Sequence, residues 1–127
     1  MGSIEDVADL YRNSDIGLVF MFSAHPSYQP FEFMASGCVT ITNNNPLNHW
    51  LLKDGENAIL TAPTVSCVTE KIVEALEDPD LRARISHGGL ATVSRLDWAQ
   101  AMETMYQYVR HPQIVQRNGL CTDGMVP

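Results

Sequence analysis

The chain has 127 residues, 45% of them hydrophobic, and a formal net charge of −7 at pH 7. This length fits one small domain with a genuine core. The acidic balance argues against a nucleic-acid-binding protein, because such domains carry a basic face. No apolar run approaches the ~20 residues that a membrane span requires, so we expect no integral membrane segment.

The cysteines indicate a reducing compartment. Cys38, Cys67 and Cys121 are widely spaced and form no CxxC or Cys/His metal-binding pattern, which is typical of free thiols. Residues 1–14 are polar and acidic and lack the apolar segment of a signal peptide. We therefore expect a cytoplasmic protein with no metal site and no cofactor.

Helical and strand-length patterns alternate along the first half of the chain. Two apolar runs, residues 15–22 and 38–42, lack polar alternation, which predicts strands buried on both faces, as in a parallel sheet. Between them, Pro30 and Gly37 bound a short helix, since proline is tolerated in a first turn and glycine commonly ends a helix. The predicted elements are a helix over 4–13, a strand over 15–22, a helix over 30–36, a strand over 38–42, a helix over 46–54, a strand over 57–60, a helix after Thr64, a helix over 79–93 and a last helix after Asp97.

This order predicts an α/β fold in which a small parallel sheet of about three strands is flanked by helices. The pair Gly88-Gly89 should weaken its helix by roughly 1 kcal/mol per glycine. Periodicity ends near Arg110. We therefore predict a domain over residues 1–110 and a loose tail over 111–127.

One carboxylate, Glu32, is placed in the first turn of the helix that follows the loop 24–29. Ligands of parallel sheets bind beyond the carboxyl ends of the strands, and this loop lies there. Glu32 could simply make a favourable charge–dipole contact worth about 0.3–1 kcal/mol. It could equally accept a hydrogen bond from a sugar hydroxyl, and the spacing alone does not separate the two.

Four blocks of the sequence resemble the C-terminal half of GT-B-fold retaining glycosyltransferases. They are "LYRNSDIGLVFMFS", "HPSYQPFEFMASGCVTIT", "LLKDGENAIL" and the segment from Asp78 to Trp98. The second block resembles the later part of the family's E-x7-E motif, and "HPSYQPFE" is similar to a stretch of bacterial polysaccharide rhamnosyltransferases. The resemblance implies a partial Rossmann-like GT-B C-terminal domain.

The resemblance also implies roles for residues of the loop. The second acid of the motif, which binds the donor ribose in the family, falls on Glu32. Loop amides that approach the diphosphate place Ser27, Tyr28 and Gln29 near it, and His25 is a further candidate contact. No catalytic residue is assigned.

The first acid of the motif would fall on Ala24, which cannot accept hydrogen bonds from a sugar. Three explanations stay open: His25 or another group replaces the acid, the donor is a less hydroxylated deoxysugar, or the domain no longer catalyses. Rhamnose fits the second, which makes dTDP-rhamnose a candidate donor.

The resemblance predicts the donor-binding part of a glycosyltransferase of the hexosyltransferase type that uses a nucleotide-diphosphate sugar. The family's acceptor domain has no counterpart in these residues, so we expect the chain to be inactive alone. Its partner is then a separate acceptor-domain chain or a second copy. The alternative is a non-catalytic binding or oligomerisation module derived from a glycosyltransferase.

Overall fold

A computed structural model of the protein describes residues 4–110, without the side chain of Trp98. Except at the helix predicted over 46–54, the elements follow the predicted order. Their bounds are α1 Ile4–Arg12, β1 Ile16–Val19, α2 Gln29–Ala35, β2 Val39–Asn43, a 3-10 turn Pro46–Asn48, β3 Ile59–Thr61, α3 Val65–Glu77, α4 Pro79–Val93 and α5 Trp98–Arg110. Among the described residues no helix is both long and apolar enough to cross a membrane.

The three strands form one parallel sheet in the order β1-β2-β3. The register sets Ile16 of β1 beside Val39 of β2, and Ile41 of β2 beside Ile59 of β3. The predicted fold class, a small parallel sheet flanked by helices, is therefore confirmed.

The central strand β2 is buried along its whole length. Two apolar clusters surround the sheet. The first joins β2 and β3 to α3 and α4 and consists of Val39, Ile41, Ile59, Ala75, Leu81 and Ile85. The second lies around α2 and the segment after the 3-10 turn and consists of Met21, Met34, Leu51, Leu52 and Ala58. This double coverage is what the apolar run at 38–42 predicted.

The prediction that β1 is buried on both faces is wrong. The strand ends at Val19, Leu18 is 43% exposed and Phe22, just beyond it, is 77% exposed. One face is covered, because the ring of Phe33 lies so close to Gly17 that a Cβ there would sit 2.3 Å from Phe33 Cδ2. The other face is partly open at Leu18, and β1 is an edge strand of the described sheet.

Helix α2 ends in a Schellman motif. The amide of Cys38 donates to the Phe33 carbonyl at 2.9 Å, and the amide of Gly37 donates to the Met34 carbonyl at 3.2 Å. Gly37 has a φ of +81°, which a residue with a Cβ adopts only at a cost. The motif turns the chain from α2 directly into β2.

The predicted helix over 46–54 is also wrong, because a 3-10 turn and an irregular segment occupy these residues. The buried side chain of Asn57 binds backbone groups of this segment that a helix would use for its own hydrogen bonds. It accepts from the Lys53 amide at 2.7 Å and donates to the Leu51 carbonyl at 2.9 Å. It also donates to Thr92 Oγ1, which joins this segment to α4.

The chain divides into two compact units between residues 95 and 96, and α5 belongs to the second. The tail predicted over 111–127 lies outside the described residues. The boundary at residue 110 stays a prediction.

Candidate functional site

The carboxyl ends of the three strands meet at one edge of the sheet, as the parallel order requires. The loop 20–28 follows β1, residues 44–48 follow β2, and residues 62–64 follow β3. Helix α2 begins at this edge, where the loop 20–28 ends. Open parallel sheets bind ligands here, so the sequence-predicted residues lie at the edge where a site is expected.

Glu32 lies in the first turn of α2, as predicted, and its side chain is exposed. Its amide donates to the Tyr28 carbonyl at 3.1 Å, which fixes the backbone in the helix. The described residues place no hydrogen bond or ion pair on its carboxylate. An exposed carboxylate at this position can accept hydrogen bonds from hydroxyl groups of a ligand.

The remaining predicted site residues share the segment that leads into α2. His25, Tyr28 and Gln29 are exposed, and Tyr28 is the N-cap residue of the helix without a side-chain capping bond. Ser27 is half-buried, and its hydroxyl is shielded from solvent with no hydrogen-bond partner in the described part of the chain. All five residues lie within residues 25–32, and within the described part of the chain none of their side chains makes a hydrogen bond or an ion pair.

Two asparagines at the end of the neighbouring strand β2 bind the backbone of this loop. The Asn43 carboxamide accepts from the Met21 amide at 2.6 Å and donates to the Met21 carbonyl at 2.9 Å. Asn45 Nδ2 donates to the carbonyls of Met21 and Ser23, at 3.1 and 2.9 Å. The sequence "NNN" indicated only a turn. The structure adds that these side chains fix the loop after β1 to the end of β2.

A second polar side chain at this edge is buried without partners. Asn48 is 1% exposed, and neither its Oδ1 nor its Nδ2 has a hydrogen-bond partner among the described residues. Its neighbour His49 is exposed, with Nε2 at 2.7 Å from Asn44 Oδ1. Sequence reasoning did not single out Asn48, because it fell inside the helix predicted over 46–54, where an asparagine gives no sign of burial.

A polar groove of about 350 Å³ lies at the opposite edge, near the amino ends of β1 and β2. Its two arginines are already engaged: Arg12 pairs with Asp9, and Arg82 Nη1 donates to the carbonyls of Ala75 and Leu76 at 2.7 and 2.6 Å. The two cationic side chains of this groove therefore already bind groups of their own helices.

Within residues 4–110, no group of three or more His, Cys, Asp or Glu side chains is arranged to hold a metal ion. The described cysteines, Cys38 and Cys67, are free thiols. The candidate site therefore consists of the loop 20–28 and the first turn of α2 with Glu32.

Three similarities to known proteins agree with this architecture. Residues 1–73 match the family of WsaF C-terminal domains. Over 94 residues the chain is 47% identical to the O-antigen biosynthesis protein RfbC of Myxococcus xanthus, a match that covers 74% of this chain and 7% of that protein. The fold is similar to the crystal structure of the C-terminal domain of LpcC, a glycosyl transferase group 1 family protein from Francisella tularensis. That match has a TM-score of 0.61 and 23% identity, and it covers 75% of this chain and 49% of the other. The chain thus spans a small part of the curated relative and about half of the solved domain.

Proposed function

Because the chain belongs to the family of WsaF C-terminal domains and has the fold of the C-terminal half of a GT-B glycosyltransferase, we propose that it binds the donor of a glycosyltransferase, a nucleotide-diphosphate sugar. The observation that carries the proposal is the exposed, uncommitted carboxylate of Glu32 at the carboxyl edge of the sheet. Such a group suits the ribose hydroxyls of a nucleotide.

The loop in front of α2 supplies the remaining contacts in this proposal. Backbone amides and side chains of Ser27, Tyr28 and Gln29 would meet the diphosphate, and His25 would lie beside the donor sugar. The Asn43 and Asn45 carboxamides support this assignment, because they fix the loop before any ligand arrives. A preorganised loop loses less conformational entropy when it binds.

The proposed donor sugar is poor in hydroxyl groups. Ala24 is exposed in the loop and presents a methyl group where the family motif has its first acid. A 6-deoxyhexose makes fewer demands on hydrogen-bond acceptors than a fully hydroxylated hexose, which is why dTDP-rhamnose is the first donor to test. The name of the Myxococcus relative, an O-antigen biosynthesis protein, fits polysaccharide assembly as the setting.

Turnover in this proposal requires more than these residues. Since the match spans 7% of that relative, the acceptor-binding part and the complete reaction are assigned to other protein segments, on the same chain or on a separate one. The site of action in this proposal is the cytoplasm, where nucleotide sugars and free thiols coexist. The rival function is a non-catalytic binding or oligomerisation module derived from a glycosyltransferase.

The test is a calorimetric screen of UDP, GDP and dTDP, each with and without a sugar, on wild type and Glu32→Gln. We expect one nucleotide series to bind, and Glu32→Gln to weaken it by about 1–3 kcal/mol, or about 5- to 150-fold in Kd, the scale of a lost hydrogen bond to a charged acceptor.

Glu5→Gln is the matched control, because Glu5 is likewise an exposed acid in the first turn of a helix. Both substitutions remove a charge–dipole contact worth about 0.3–1 kcal/mol, so both should change thermal stability equally little. If neither Glu32→Gln nor Glu5→Gln changes the dissociation constant, Glu32 does not bind the ligand and only stabilises the start of its helix.

A further inference from the structure

Three asparagine side chains are buried in the described part of the chain, those of Asn43, Asn48 and Asn57. Two of them satisfy their carboxamides with backbone groups. Asn43 binds both backbone groups of Met21, and Asn57 binds backbone groups of the segment before it. Asn48 differs, because neither its Oδ1 nor its Nδ2 has a hydrogen-bond partner among the described residues.

The missing bonds are confined to the side chain of Asn48. Its amide donates to the Asn45 carbonyl at 2.9 Å, and its carbonyl accepts from the amides of Leu51 and Leu52 at 3.0 and 2.9 Å. A carboxamide has two N–H donors and an acceptor oxygen, and burial without partners destabilises the fold. Buried polar groups almost always have a partner in folded proteins, so this carboxamide indicates a partner that is not among the described residues.

Asn48 lies at the carboxyl edge of the sheet, close to Ala24 of the proposed donor-binding loop. Asn45 connects the two residues. Its Nδ2 donates to the carbonyl of Ser23, which directly precedes Ala24, and its own carbonyl accepts from the Asn48 amide, both at 2.9 Å. Since Ala24 has only a methyl group, Asn48 is a nearby side chain that can bind a hydroxyl group from the neighbouring segment.

The turn that carries Asn48 lies at the surface. Leu47 is 61% exposed and Trp50 is 63% exposed, so little apolar contact holds the turn in place. Asn48 itself is 1% exposed, and a ligand reaches its carboxamide only when the turn shifts. A hydroxyl group needs a small shift, whereas another protein segment would have to displace the whole turn. The burial of Asn48 therefore favours a small polar ligand.

We propose that Asn48 binds two adjacent hydroxyl groups of the donor sugar when its turn shifts, an inference that rests on the proposed function because it names a sugar contact of the same donor. Oδ1 accepts from one hydroxyl and Nδ2 donates to the next. A 6-deoxyhexose retains adjacent ring hydroxyls, so dTDP-rhamnose remains a suitable probe. The bonds that form in the complex replace those that the carboxamide lacks in the free chain, which shifts the turn toward its bound position.

In the free chain, Asn48 should lower thermal stability. Asn48→Leu has a similar shape and removes both unpaired groups, so it should raise the melting temperature. Thr40→Val is the matched control, because Thr40 is 0% exposed within β2 and its hydroxyl also lacks a partner among the described residues. Thr40→Val should likewise raise the melting temperature, but it should leave the affinity for the donor unchanged.

The test is calorimetry on the full chain, with the nucleoside diphosphate that binds tightest and with its nucleotide sugar. In the wild type, the sugar should lower the dissociation constant by at least about fivefold, the lower end of what one such hydrogen bond provides. In Asn48→Leu this gain should disappear, while the dissociation constant of the nucleoside diphosphate stays the same. Thr40→Val should keep the full gain.

The contrary results separate this inference from donor binding itself. A sugar gain that survives in Asn48→Leu, or that is absent from the wild type, overturns the inference and leaves donor binding intact. Equal weakening of the nucleotide with and without its sugar would do the same, because Asn48 would then only support the fold. A lower melting temperature for Asn48→Leu would show a carboxamide already satisfied by buried water, which also overturns it. A wild type that binds no nucleotide overturns both proposals.

Discussion

The carboxamide of Asn43 encloses the backbone of Met21, accepting from its amide at 2.6 Å and donating to its carbonyl at 2.9 Å. Strand β1 has already ended two residues earlier, so this side chain continues the sheet's hydrogen bonding where the strand cannot. The start of the proposed donor-binding loop is thereby fixed to the end of the central strand.

Asn43→Ala should therefore loosen the loop and destabilise the fold. It leaves the buried Met21 amide without its partner, whereas the Met21 carbonyl keeps the hydrogen bond from Asn45 Nδ2, so we expect a loss of about 1–3 kcal/mol in the free energy of unfolding, measured with urea. Asn44→Ala is the control, since Asn44 is exposed and contacts only His49 through its side chain; its effect should stay within about 0.5 kcal/mol. Equal losses in both variants would refute the role given to Asn43.

Gly17→Ala tests the close approach of α2 to β1. The new Cβ would lie 2.3 Å from Phe33 Cδ2, so the ring or the helix must move, and overpacking of this kind costs about 1–3 kcal/mol. Phe33→Leu in the same chain should relieve part of the cost. A double-mutant cycle measures this as a coupling between the two sites, and strict additivity would mean that the ring is not the obstacle.

Gly88→Ala should change stability in the direction opposite to helix propensity. Alanine in the interior of α4 is expected to add roughly 1 kcal/mol. A Cβ at Gly88, however, would lie 2.0 Å from the backbone oxygen of Glu56, which cannot move without shifting the segment fixed by Asn57. We expect a lower melting temperature for Gly88→Ala. His87→Ala, an exposed neighbouring position, should leave it unchanged or raise it, and a stabilised Gly88→Ala would contradict the close approach.

The thiol of Cys38 should be unreactive near neutral pH. Burial, and to a lesser extent the negative charge of Asp15, raise the pKa of Cys38 above its ordinary 9.0. Its single S–H proton can donate to the carbonyl of Tyr11 or of Ser14, which lie 2.9 and 3.2 Å from Sγ. In the folded protein at pH 8, a thiol reagent should modify the half-buried Cys67 much faster than Cys38, as read by mass spectrometry of digested peptides.

The same pKa shift has a consequence for stability. Because the folded state holds the Cys38 proton more tightly than the unfolded state, this thiol's contribution is fully present below pH 9 and is lost as the pH rises above 9. Denaturation between pH 8 and 10 should show a steeper loss for wild type than for Cys38→Ala. Equal slopes would show that the thiol titrates alike in both states.

The sequence predicted those elements whose signals are local. The run at 38–42 is apolar throughout, and the structure buries all of β2. The same signal failed at 15–22, because an apolar run does not reveal whether a strand is central or at an edge, and Leu18 proved half-exposed. The predicted helix at 46–54 failed because Asn57, further along the chain, binds the backbone of Leu51 and Lys53 in a conformation that helix propensity does not anticipate.

At the candidate site, too, local features could be predicted from the sequence and contacts between distant residues could not. Pro30 and Gly37 bound α2 in the sequence, so the position of Glu32 in its first turn could be predicted and is confirmed. The bond between Asn43 and Met21 joins residues 22 positions apart. No spacing rule connects them, because that contact depends on the parallel register of β1 and β2. Ligand contacts at His25, Ser27, Tyr28 and Gln29 stay predictions.

The central claim, that a nucleoside diphosphate binds at the carboxyl edge of the sheet, is tested most directly by a two-dimensional amide NMR titration of the chain with the tightest-binding nucleoside diphosphate. We predict saturable shifts concentrated in residues 24–32 and 43–49, with the same pattern at much higher ligand concentration in Glu32→Gln. Absence of shifts up to millimolar nucleotide, or shifts centred on the groove of Arg12, Arg82 and Ser86 at the opposite edge, would contradict it.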